Sequence, residues 1–435
     1  MNILVVNHHS DRNAGDKVLL EMTLRALGRH FPDAIFTIAS NDPVSVTGEV
    51  TVLGSFTTWI KSSDPHTGGG RWRLSGLLAF PFWLAVAGWT AVRHRQHRSL
   101  PPKQRPTRSN HRTLLHAYQQ ADMIVSCPGN FLYSSGRLGI PLLLALLALG
   151  YGLLLGKPVY TMPQSIGPLQ RDWERALLDW ILPHLRLVLV RDQISLDLVR
   201  SLSHGAHIQS RLAPDLAFAF QGADNVAGQT LLAQHGLVVA DGRPKLGITV
   251  LNWGEINPAF TGQAEYEQAL AATAAHFIHN RDGHVVLFAQ VCGPTTLEDD
   301  RIPARRILQL LSSMADRVTL VDDMVPAHLL FAAYGQTDLF LGTRLHSAIF
   351  ALCAGVPVIA VAYQYKTFGI MTMLDLDKWT IAIEESSALA LIDLVDSLWP
   401  QRAALKEHID KRMSQIHAEI EHILDSLAQD FRTQQ

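Results

Sequence analysis

The chain has 435 residues, of which 48% are hydrophobic and 17% are charged, and its formal net charge at pH 7 is −2. This composition indicates a globular protein of two or more domains and excludes an intrinsically disordered chain. The near-neutral charge gives no overall signal for nucleic-acid binding. The three cysteines form no CxxC pair. Their spacing argues against a disulfide framework or a zinc site and fits a reducing cytoplasm.

The first half of the chain alternates short apolar runs with helical patterns, as parallel α/β units do. These patterns predict a strand at residues 3–7, a helix that opens at Val18, and further strands at residues 123–127, 159–162 and 187–190. Residues 128–130 and 163–168 contain the Gly and Pro typical of turns and follow two of these strands. The apolar run at residues 140–155 predicts a buried crossover helix.

A basic and aromatic insertion occupies about residues 60–115. It contains no Asp or Glu between Asp64 and Asp122 and nine Lys or Arg residues, whereas residues 74–92 are uncharged. As a helix, residues 74–92 would be ~28 Å long, which is just enough to span a bilayer. A span would separate the first strand from the others of its sheet, so we favour peripheral membrane contact through residues 72–98. A helix that packs on the protein without touching a membrane is the alternative.

The second half of the chain repeats the α/β pattern. It predicts strands at residues 246–251, 285–289, 318–321, 339–341 and 358–361, most of them rich in Val, Ile and Leu, as expected for strands covered on both faces. A weak linker at residues 221–244 suggests a domain boundary. We therefore predict an N-terminal Rossmann-like domain at residues 1–225, a C-terminal one at residues 240–400, and an amphipathic helix at residues 401–435 that packs on the body.

Cationic side chains follow two strands of the second half. Arg344 and His346 come directly after the strand at residues 339–341 and stand where a helix begins. Helix N–H groups, the helix dipole and the guanidinium fork together predict an anion site there. Lys366 follows the next strand at the same sheet edge and offers a second cation. The structural alternatives are an Arg paired with a carboxylate, a His satisfied in the core and a solvated Lys.

Other candidates lie in the first half. Arg191 directly follows the strand at residues 187–190 and precedes Asp192, which we predict to be a helix N-cap. Asp16 is left open between a cap and a contact with a sugar hydroxyl. Among common catalytic motifs, GxxxxGK[ST], GxSxG and HExxH are all absent from the sequence.

The ordered set of motifs resembles the polysaccharide pyruvyl transferase family, most of all its members that make colanic acid and amylovoran in Gram-negative bacteria. Each motif is weak alone, whereas the set, which runs in order through residues 1–376, is specific. Gln164 stands where some members carry His, so we assign it no proton-transfer role. The matching motifs are Asn13-Ala14-Gly15-Asp16-Lys17-Val18-Leu19-Leu20, Pro128-Gly129-Asn130-Phe131, Gln164-Ser165-Ile166-Gly167-Pro168, Arg191-Asp192-Gln193-Ile194-Ser195, Pro214-Asp215-Leu216-Ala217, Asp299-Asp300-Arg301, Gly342-Thr343-Arg344-Leu345-His346-Ser347, Tyr365-Lys366 and Gly369-Ile370-Met371.

The resemblance implies a GT-B-like α/β fold, with two Rossmann-like domains whose parallel sheets face a cleft. It implies phosphoenolpyruvate as donor and a sugar diol as acceptor, giving a pyruvate ketal in exopolysaccharide biosynthesis with release of phosphate and no cofactor or metal. We expect the acceptor to be an oligosaccharide, lipid-linked or free, and the enzyme to be cytoplasmic, with peripheral contact on the inner membrane face as one option. The implied residues are Arg344 and His346 for catalysis and donor binding, Arg191, Lys366 and Thr343 for further donor contacts, and Asn13, Asp16 and Asn130 for the acceptor.

Two other functions stay open. A nucleotide-sugar glycosyltransferase of the same fold often holds the ribose with a carboxylate, but no Glu occurs from Gly342 through Ala382. A non-catalytic sugar-binding scaffold is a second alternative, although a scaffold gains nothing from cations gathered in an apolar cleft.

Overall fold

The computed structural model describes residues 1–62, 71–96, 110–134, 138–237, 241–257, 259–293 and 296–433. Within this range the chain forms two compact units. Unit 1 comprises Met1–Asp11, Leu19–Leu216 and Glu419–Gln435, and unit 2 comprises Arg12–Val18 and Ala217–Ala418. The chain therefore passes into unit 2 at Ala217, ahead of the linker predicted at residues 221–244.

Unit 1 is built on a twisted parallel sheet. Its strands are β1 (Asn2–His8), β2 (Ile35–Ser40), β3 (Thr51–Gly54), β6 (Met123–Ser126), β7 (Gly129–Leu132), β8 (Val159–Ile166), β9 (Leu187–Val190) and β10 (Ser210–Leu212), with a separate ribbon of β4 (Lys61–Ser62) and β5 (Arg71–Trp72). The sheet order is β10-β9-β8-β6-β1-β2-β3, and β7 pairs with β8. Because the order reverses between β1 and β6, the carboxyl ends of these two strands flank a topological switch point, where α/β sheets bind ligands.

Helices cover both faces of this sheet. They are α1 (Ala14–His30), α2 (Thr57–Ile60), α3 (Leu74–Gln96), α4 (Asn110–Gln120), α5 (Ile140–Leu154), α6 (Asp172–Ile181) and α7 (Gln193–Arg200). The predicted crossover helix is confirmed as α5, whose side chains are largely buried. The predicted N-cap is confirmed too, since the Asp192 carboxylate accepts the Ser195 backbone N–H of α7 at 2.8 Å.

Unit 2 has the strand order of a Rossmann sheet. Its strands are β11 (Lys245–Thr249), β12 (His284–Phe288), β13 (Val318–Val321), β14 (Leu339–Gly342), β15 (Val358–Ala362) and β16 (Thr380–Ala382). They run in parallel in the order β13-β12-β11-β14-β15-β16, so the switch point lies between β11 and β14. The helices are α8 (Asn225–Gln234), α9 (Trp253–Ile256), α10 (Gln263–Arg281), α11 (Arg301–Leu310), α12 (Ala327–Tyr334), α13 (Leu345–Cys353), α14 (Tyr365–Met373), α15 (Ala388–Leu398) and α16 (Arg402–Thr433).

The structure corrects three local predictions. The first helix begins at Ala14 and not at Val18, since Asn13 precedes it and its side-chain oxygen accepts the Gly15 N–H at 3.0 Å. The predicted turn at residues 163–168 is wrong in its first part, because β8 continues to Ile166 through pairing with β7. The predicted linker contains α8, which is held against α12 so closely that Gly228 leaves no room for a side chain beside the Ala332 carbonyl.

The predicted C-terminal helix is confirmed as α16, which begins at Arg402 and ends at Thr433. Its last turns belong to unit 1, where the Phe431 ring packs edge-on against Phe31 at a centroid distance of 5.5 Å. The Asp430 carboxylate accepts a hydrogen bond from the Tyr160 hydroxyl at 2.7 Å in the same unit. One apolar stripe of the helix is buried, as the sequence pattern predicts.

Candidate active site

The switch point of unit 2 places side chains beyond β11 and β14. The Thr249 hydroxyl at the end of β11 accepts the Thr343 backbone N–H at 3.2 Å and bonds the Ser347 hydroxyl at 2.6 Å. These bonds fix the turn from β14 into α13, so that Arg344 occupies the N-cap position and His346 lies in the first turn. The structure therefore places Arg344 and His346 at the helix N-terminus that the sequence predicts.

Asp300 clamps the Arg344 guanidinium along one edge. Arg344 Nε donates to both Asp300 oxygens at 3.1 Å, and Nη2 donates to Oδ1 at 2.6 Å and to the Glu298 carbonyl at 3.2 Å. Asp300 is fully buried, and Arg344 is 12% exposed. Nη1 takes no part in these bonds, so among the described residues two of the five guanidinium N–H groups have no partner and could bind a ligand.

Burial and charge act in opposite directions on this pair. Burial raises the pKa of the Asp300 carboxyl, whereas the Arg344 cation and the hydrogen bonds to Asp300 oppose the rise. Burial lowers the pKa of Arg344, but the Asp300 and Tyr363 oxygens raise it by more. Arg344 therefore stays a cation, held in a fixed orientation in a site of low polarity.

The segment after β1 contributes to the same site of unit 2. Asn13 forms an antiparallel bridge with Val291, whose N–H donates to the Asp300 carboxylate at 2.9 Å. Gly15 lies directly against the His346 ring, since a Cβ on Gly15 would stand 2.0 Å from His346 Nδ1. Three motifs that are far apart in sequence thus meet in one place, and Asn13 and Asp16 lie on the segment that faces His346 and Asp300.

Lys366 and Tyr363 follow β15 at the same sheet edge. Lys366 Nζ lies 5.5 Å from the centroid of the Tyr363 ring, and both residues are half-buried. Burial raises the pKa of the Tyr363 phenol, but the Lys366 and Arg344 cations lower it by more, so its pKa lies below that of an ordinary tyrosine. Arg344, Lys366 and Tyr363 thus belong to one electrostatic cluster.

Thr343 is predicted to bind the donor, and its hydroxyl already has a partner within the protein. The side chain is buried and its hydroxyl shares a 2.6 Å hydrogen bond with Tyr266. A donor contact through Thr343 stays a prediction, and in this structure the residue fixes the loop that carries Arg344.

The remaining predicted residues lie in unit 1. Arg191 is 1% exposed, and it donates to the Asp215 carboxylate at 2.6 Å and to the Ser165 hydroxyl at 2.9 Å. It therefore forms a buried ion pair in unit 1. Asn130 lies in β7, beyond the switch point of that unit, and its buried Oδ1 accepts no hydrogen bond from the described residues.

Sequence reasoning left out three residues that the structure marks. Asp300 and Tyr363 complete the cluster around Arg344. Gln164 is fully buried, and neither its amide oxygen nor its amide nitrogen has a hydrogen-bond partner in the described part of the chain. Buried polar groups without partners are rare and often face a ligand. Its backbone pairs with Gly129, the residue before Asn130 in β7 of unit 1.

A metal-binding cluster does not emerge from the described residues, where no three His, Cys, Asp or Glu side chains are grouped to hold an ion. In unit 2 the site offers fixed cations and the N–H groups at the start of α13. This set suits a small dianion or trianion.

Comparisons with known proteins identify a family and related folds. A family model described as polysaccharide pyruvyl transferase matches residues 13–365. A curated relative, the amylovoran biosynthesis protein AmsJ of Erwinia amylovora, is 23% identical over 267 residues, which is 60% of this chain and 63% of that protein. The alignment thus leaves out more than a third of the relative's length.

Solved structures share the fold at low identity. A trehalose-phosphate synthase from Burkholderia vietnamiensis aligns with a TM-score of 0.54 and 12% identity, covering 100% of this chain and 99% of that one. Anabaena HepE in complex with UDP-glucose aligns with a TM-score of 0.53 and 12% identity, covering 100% of both chains. At this identity the likeness shows the fold alone, which is that of the GT-B glycosyltransferases, as predicted.

Proposed function

Because this chain belongs to the polysaccharide pyruvyl transferase family, we propose that it transfers the carbon skeleton of phosphoenolpyruvate to a sugar diol of an exopolysaccharide. The product is a pyruvate ketal and the leaving group is phosphate. The observation that carries the proposal is the position of Arg344, His346 and Lys366 along one edge of the unit 2 sheet, with His346 against the segment that contains Asn13 and Asp16. Clustered cations, with no Glu from Gly342 through Ala382 to hold a ribose, suit a donor that has a carboxylate and a phosphate and no nucleoside.

The reaction needs no reactant other than phosphoenolpyruvate and the diol. A proton adds to the methylene carbon of the donor and generates an oxocarbenium-like centre at the adjacent carbon. One sugar hydroxyl bonds to that centre and loses its proton, the C–O bond to phosphate breaks, and the second hydroxyl takes the place of the phosphate and loses its own proton. An imidazole such as that of His346 suits these proton transfers, and Arg344 suits the stabilisation of the donor anion.

Asn13, Asp16 and Asn130 are short polar side chains of the kind that contact sugar hydroxyls, and the family and the amylovoran relative support an exopolysaccharide as the acceptor. If the oligosaccharide is lipid-linked, contact with the cytoplasmic membrane face through residues 72–98 would bring the enzyme to it.

The experiment that tests the function supplies purified protein with phosphoenolpyruvate and a lipid-linked oligosaccharide. We expect phosphate release together with a mass gain on the sugar of one ketal-linked pyruvyl group. Arg344→Lys keeps the charge and loses the planar fork, so kcat/KM for phosphoenolpyruvate should fall about 100-fold, mainly through KM. His346→Gln should lower kcat at saturating donor.

A matched control is Arg305→Lys, because Arg305 forms a similar two-bond pair with Asp322 and is well exposed. Its kinetics should equal those of the wild type. Turnover of a nucleotide sugar without phosphate release would replace the proposal with a glycosyltransferase. Inertness with both donors, with sugar binding retained, would indicate a scaffold.

A further inference from the structure

Helix α3 (Leu74–Gln96) lies along unit 1 and is attached to it at four points. Gly76 packs on the Trp59 carbonyl, where a Cβ would stand at 2.4 Å. The Trp83 ring stacks on His111 with centroids 4.3 Å apart. The Thr90 hydroxyl bonds the Tyr151 hydroxyl at 2.9 Å, and Arg95 donates to the Leu153 carbonyl at 3.2 Å. The helix is therefore fixed to the protein from its first turn to its last.

The opposite face of α3 is exposed and apolar. Its side chains recur every three or four residues, and 11% of the most apolar 18-residue window of the helix is buried. Exposed fractions along this face are 72% for Leu74, 75% for Leu78, 64% for Phe82, 59% for Trp89 and 55% for Val92. Helix α5, which packs beside α3, exposes Leu143 and Leu154. We call the exposed side chains of α3 the α3 face. Several large apolar side chains exposed along one helix face are unusual on a protein surface and often mark an interaction site.

Charge around the α3 face identifies its partner. The sequence from Pro65 through Ala121 contains no acid, and Arg93 stands over the Trp89 ring at 4.8 Å. Arg95 lies at the same end of the helix, whereas Arg98, Lys103, Arg105 and Arg108 fall outside the described residues. Aromatic and aliphatic side chains bordered by Arg, with no acid nearby, fit the boundary between acyl chains and anionic headgroups.

We propose that the α3 face docks unit 1 on an anionic lipid bilayer, with α3 parallel to the membrane plane. Leu78, Phe82 and Trp89 enter the interface, and the basic end of the helix contacts lipid phosphates. By length and composition alone, α3 is also long enough to span a bilayer. However, a spanning helix would lose the contacts of Gly76, Trp83, Thr90 and Arg95 with unit 1, and a docked helix keeps all of them.

Docking deepens the proposed function by stating where the acceptor would be met, and its test requires neither donor nor acceptor. Purified protein is sedimented with vesicles of phosphatidylcholine alone and with vesicles that contain 30% phosphatidylglycerol, at low and high salt, about tenfold apart. We expect binding to the anionic vesicles, weaker binding to the neutral ones, and loss of much of the binding at high salt.

Two variants place the binding on the α3 face. The double variant Leu78→Ser/Trp89→Ser changes exposed side chains only, so it should keep the thermal stability of the wild type and bind anionic vesicles about tenfold or more weakly. The matched control Val226→Ser/Leu389→Ser removes two equally exposed apolar side chains from unit 2 and should bind like the wild type. Arg93→Gln should reduce the salt-dependent part of the binding.

Several results would overturn the proposal. Wild-type protein that stays in the supernatant with every vesicle excludes docking on lipid. Equal binding by Leu78→Ser/Trp89→Ser assigns the binding to another surface. A wild-type dimer that this variant converts to a monomer makes a second copy the partner of the α3 face. Wild-type protein that resists alkaline extraction from vesicles indicates a spanning helix.

Discussion

The guanidinium of Arg344 illustrates how one carboxylate can set the direction of a cation. Asp300 binds the Nε and Nη2 edge, and the buried carboxylate is itself held by the Val291 N–H. An arginine held in this way loses little further side-chain entropy when an anion binds at Nη1. We therefore regard Asp300 as a positioning residue that acts through Arg344.

Asp300→Asn tests this role. The amide cannot accept both guanidinium bonds, so the variant should lose about 2–3 kcal/mol of unfolding free energy and about tenfold in kcat/KM for phosphoenolpyruvate, mainly through KM. Asp299→Asn is the matched control, since Asp299 directly precedes Asp300 and forms a similar pair with Arg301. Denaturant titration and donor kinetics give both quantities. An unchanged KM in Asp300→Asn, with stability lost, would make Asp300 purely structural.

Gln164 allows stability and function to be separated. Its buried amide has no partner among the described residues, so Gln164→Leu should leave the unfolding free energy unchanged or raise it by about 1 kcal/mol. We expect the same variant to lower turnover, because a ligand would be the natural partner of this amide. Gln290→Leu is the control for stability, since Gln290 accepts the Tyr334 hydroxyl at 3.1 Å and its loss should destabilise the protein. Full turnover in Gln164→Leu would contradict a role for the amide.

At the residue scale, the sequence predicts the position of Arg344 and His346 because both follow a strand directly. The sequence does not predict which residues contact Arg344 and His346. Asp300 stands 44 residues before Arg344, and nothing in the Asp-Asp-Arg motif indicates which of its two acids would turn inward. The lowered pKa of Tyr363 depends on Lys366 and Arg344, two cations that only the fold brings together.

At the scale of elements, the first turn of α1 shapes the site because Gly15 has no side chain. Gly15 lets the His346 ring lie against the helix backbone, and a Cβ there would overlap the ring. The glycine therefore sets how close His346 comes to the segment that carries Asn13 and Asp16. The helix gives up some intrinsic stability for this approach, because glycine is a poor helix former.

Gly15→Ala and Gly28→Ala form a matched pair within one helix. Nothing lies within 4 Å of a Cβ on Gly28, so Gly28→Ala should raise the unfolding free energy by about 0.5–1 kcal/mol through helix propensity and leave activity intact. Gly15→Ala should displace His346 and lower kcat about tenfold or more. Thermal denaturation and phosphate release measure the two effects. Wild-type kinetics in Gly15→Ala would show that His346 does not depend on this contact.

Among the elements, runs rich in Val and Leu predict strands well. The runs at residues 187–190 and 318–321 match β9 and β13 in full. Strands β2 and β3 were missed because their apolar runs are only two residues long and lie between Thr, Ser, Ala and Gly, and β8 was cut short because Pro163 and Gln164 resemble a turn until pairing with β7 is known. The sequence predicts two domains, but not that Arg12–Val18 belongs to unit 2 and the end of α16 to unit 1, since contacts between distant residues decide this.

For the whole molecule, the most consequential feature is that unit 1 is discontinuous. Its core includes residues from the start of the chain and from the end of α16. Phe431 is 3% exposed and packs on Phe31. Removing its ring leaves a cavity in unit 1, and this cavity destabilises strands that come more than 200 residues earlier in the chain.

Phe431→Ala should lower the unfolding free energy by about 3–4 kcal/mol. Hydrogen exchange should accelerate in β1 and β2 before it does in β11 and β14. His422→Ala, an exposed change on the same helix, should stay within about 0.5 kcal/mol of the wild type. Faster exchange confined to residues 217–418 would contradict the assignment of the end of α16 to unit 1.

The route of α16 also has a consequence for synthesis on the ribosome. Residues 19–216 are translated first, yet the turns of α16 that cover part of their core are translated after residues 217–418. Unit 2 can therefore close its sheet while unit 1 still exposes the surface that Phe431 and its neighbours will cover. The order of completion is the reverse of the order of translation, and the nascent unit 1 needs protection from aggregation until α16 emerges.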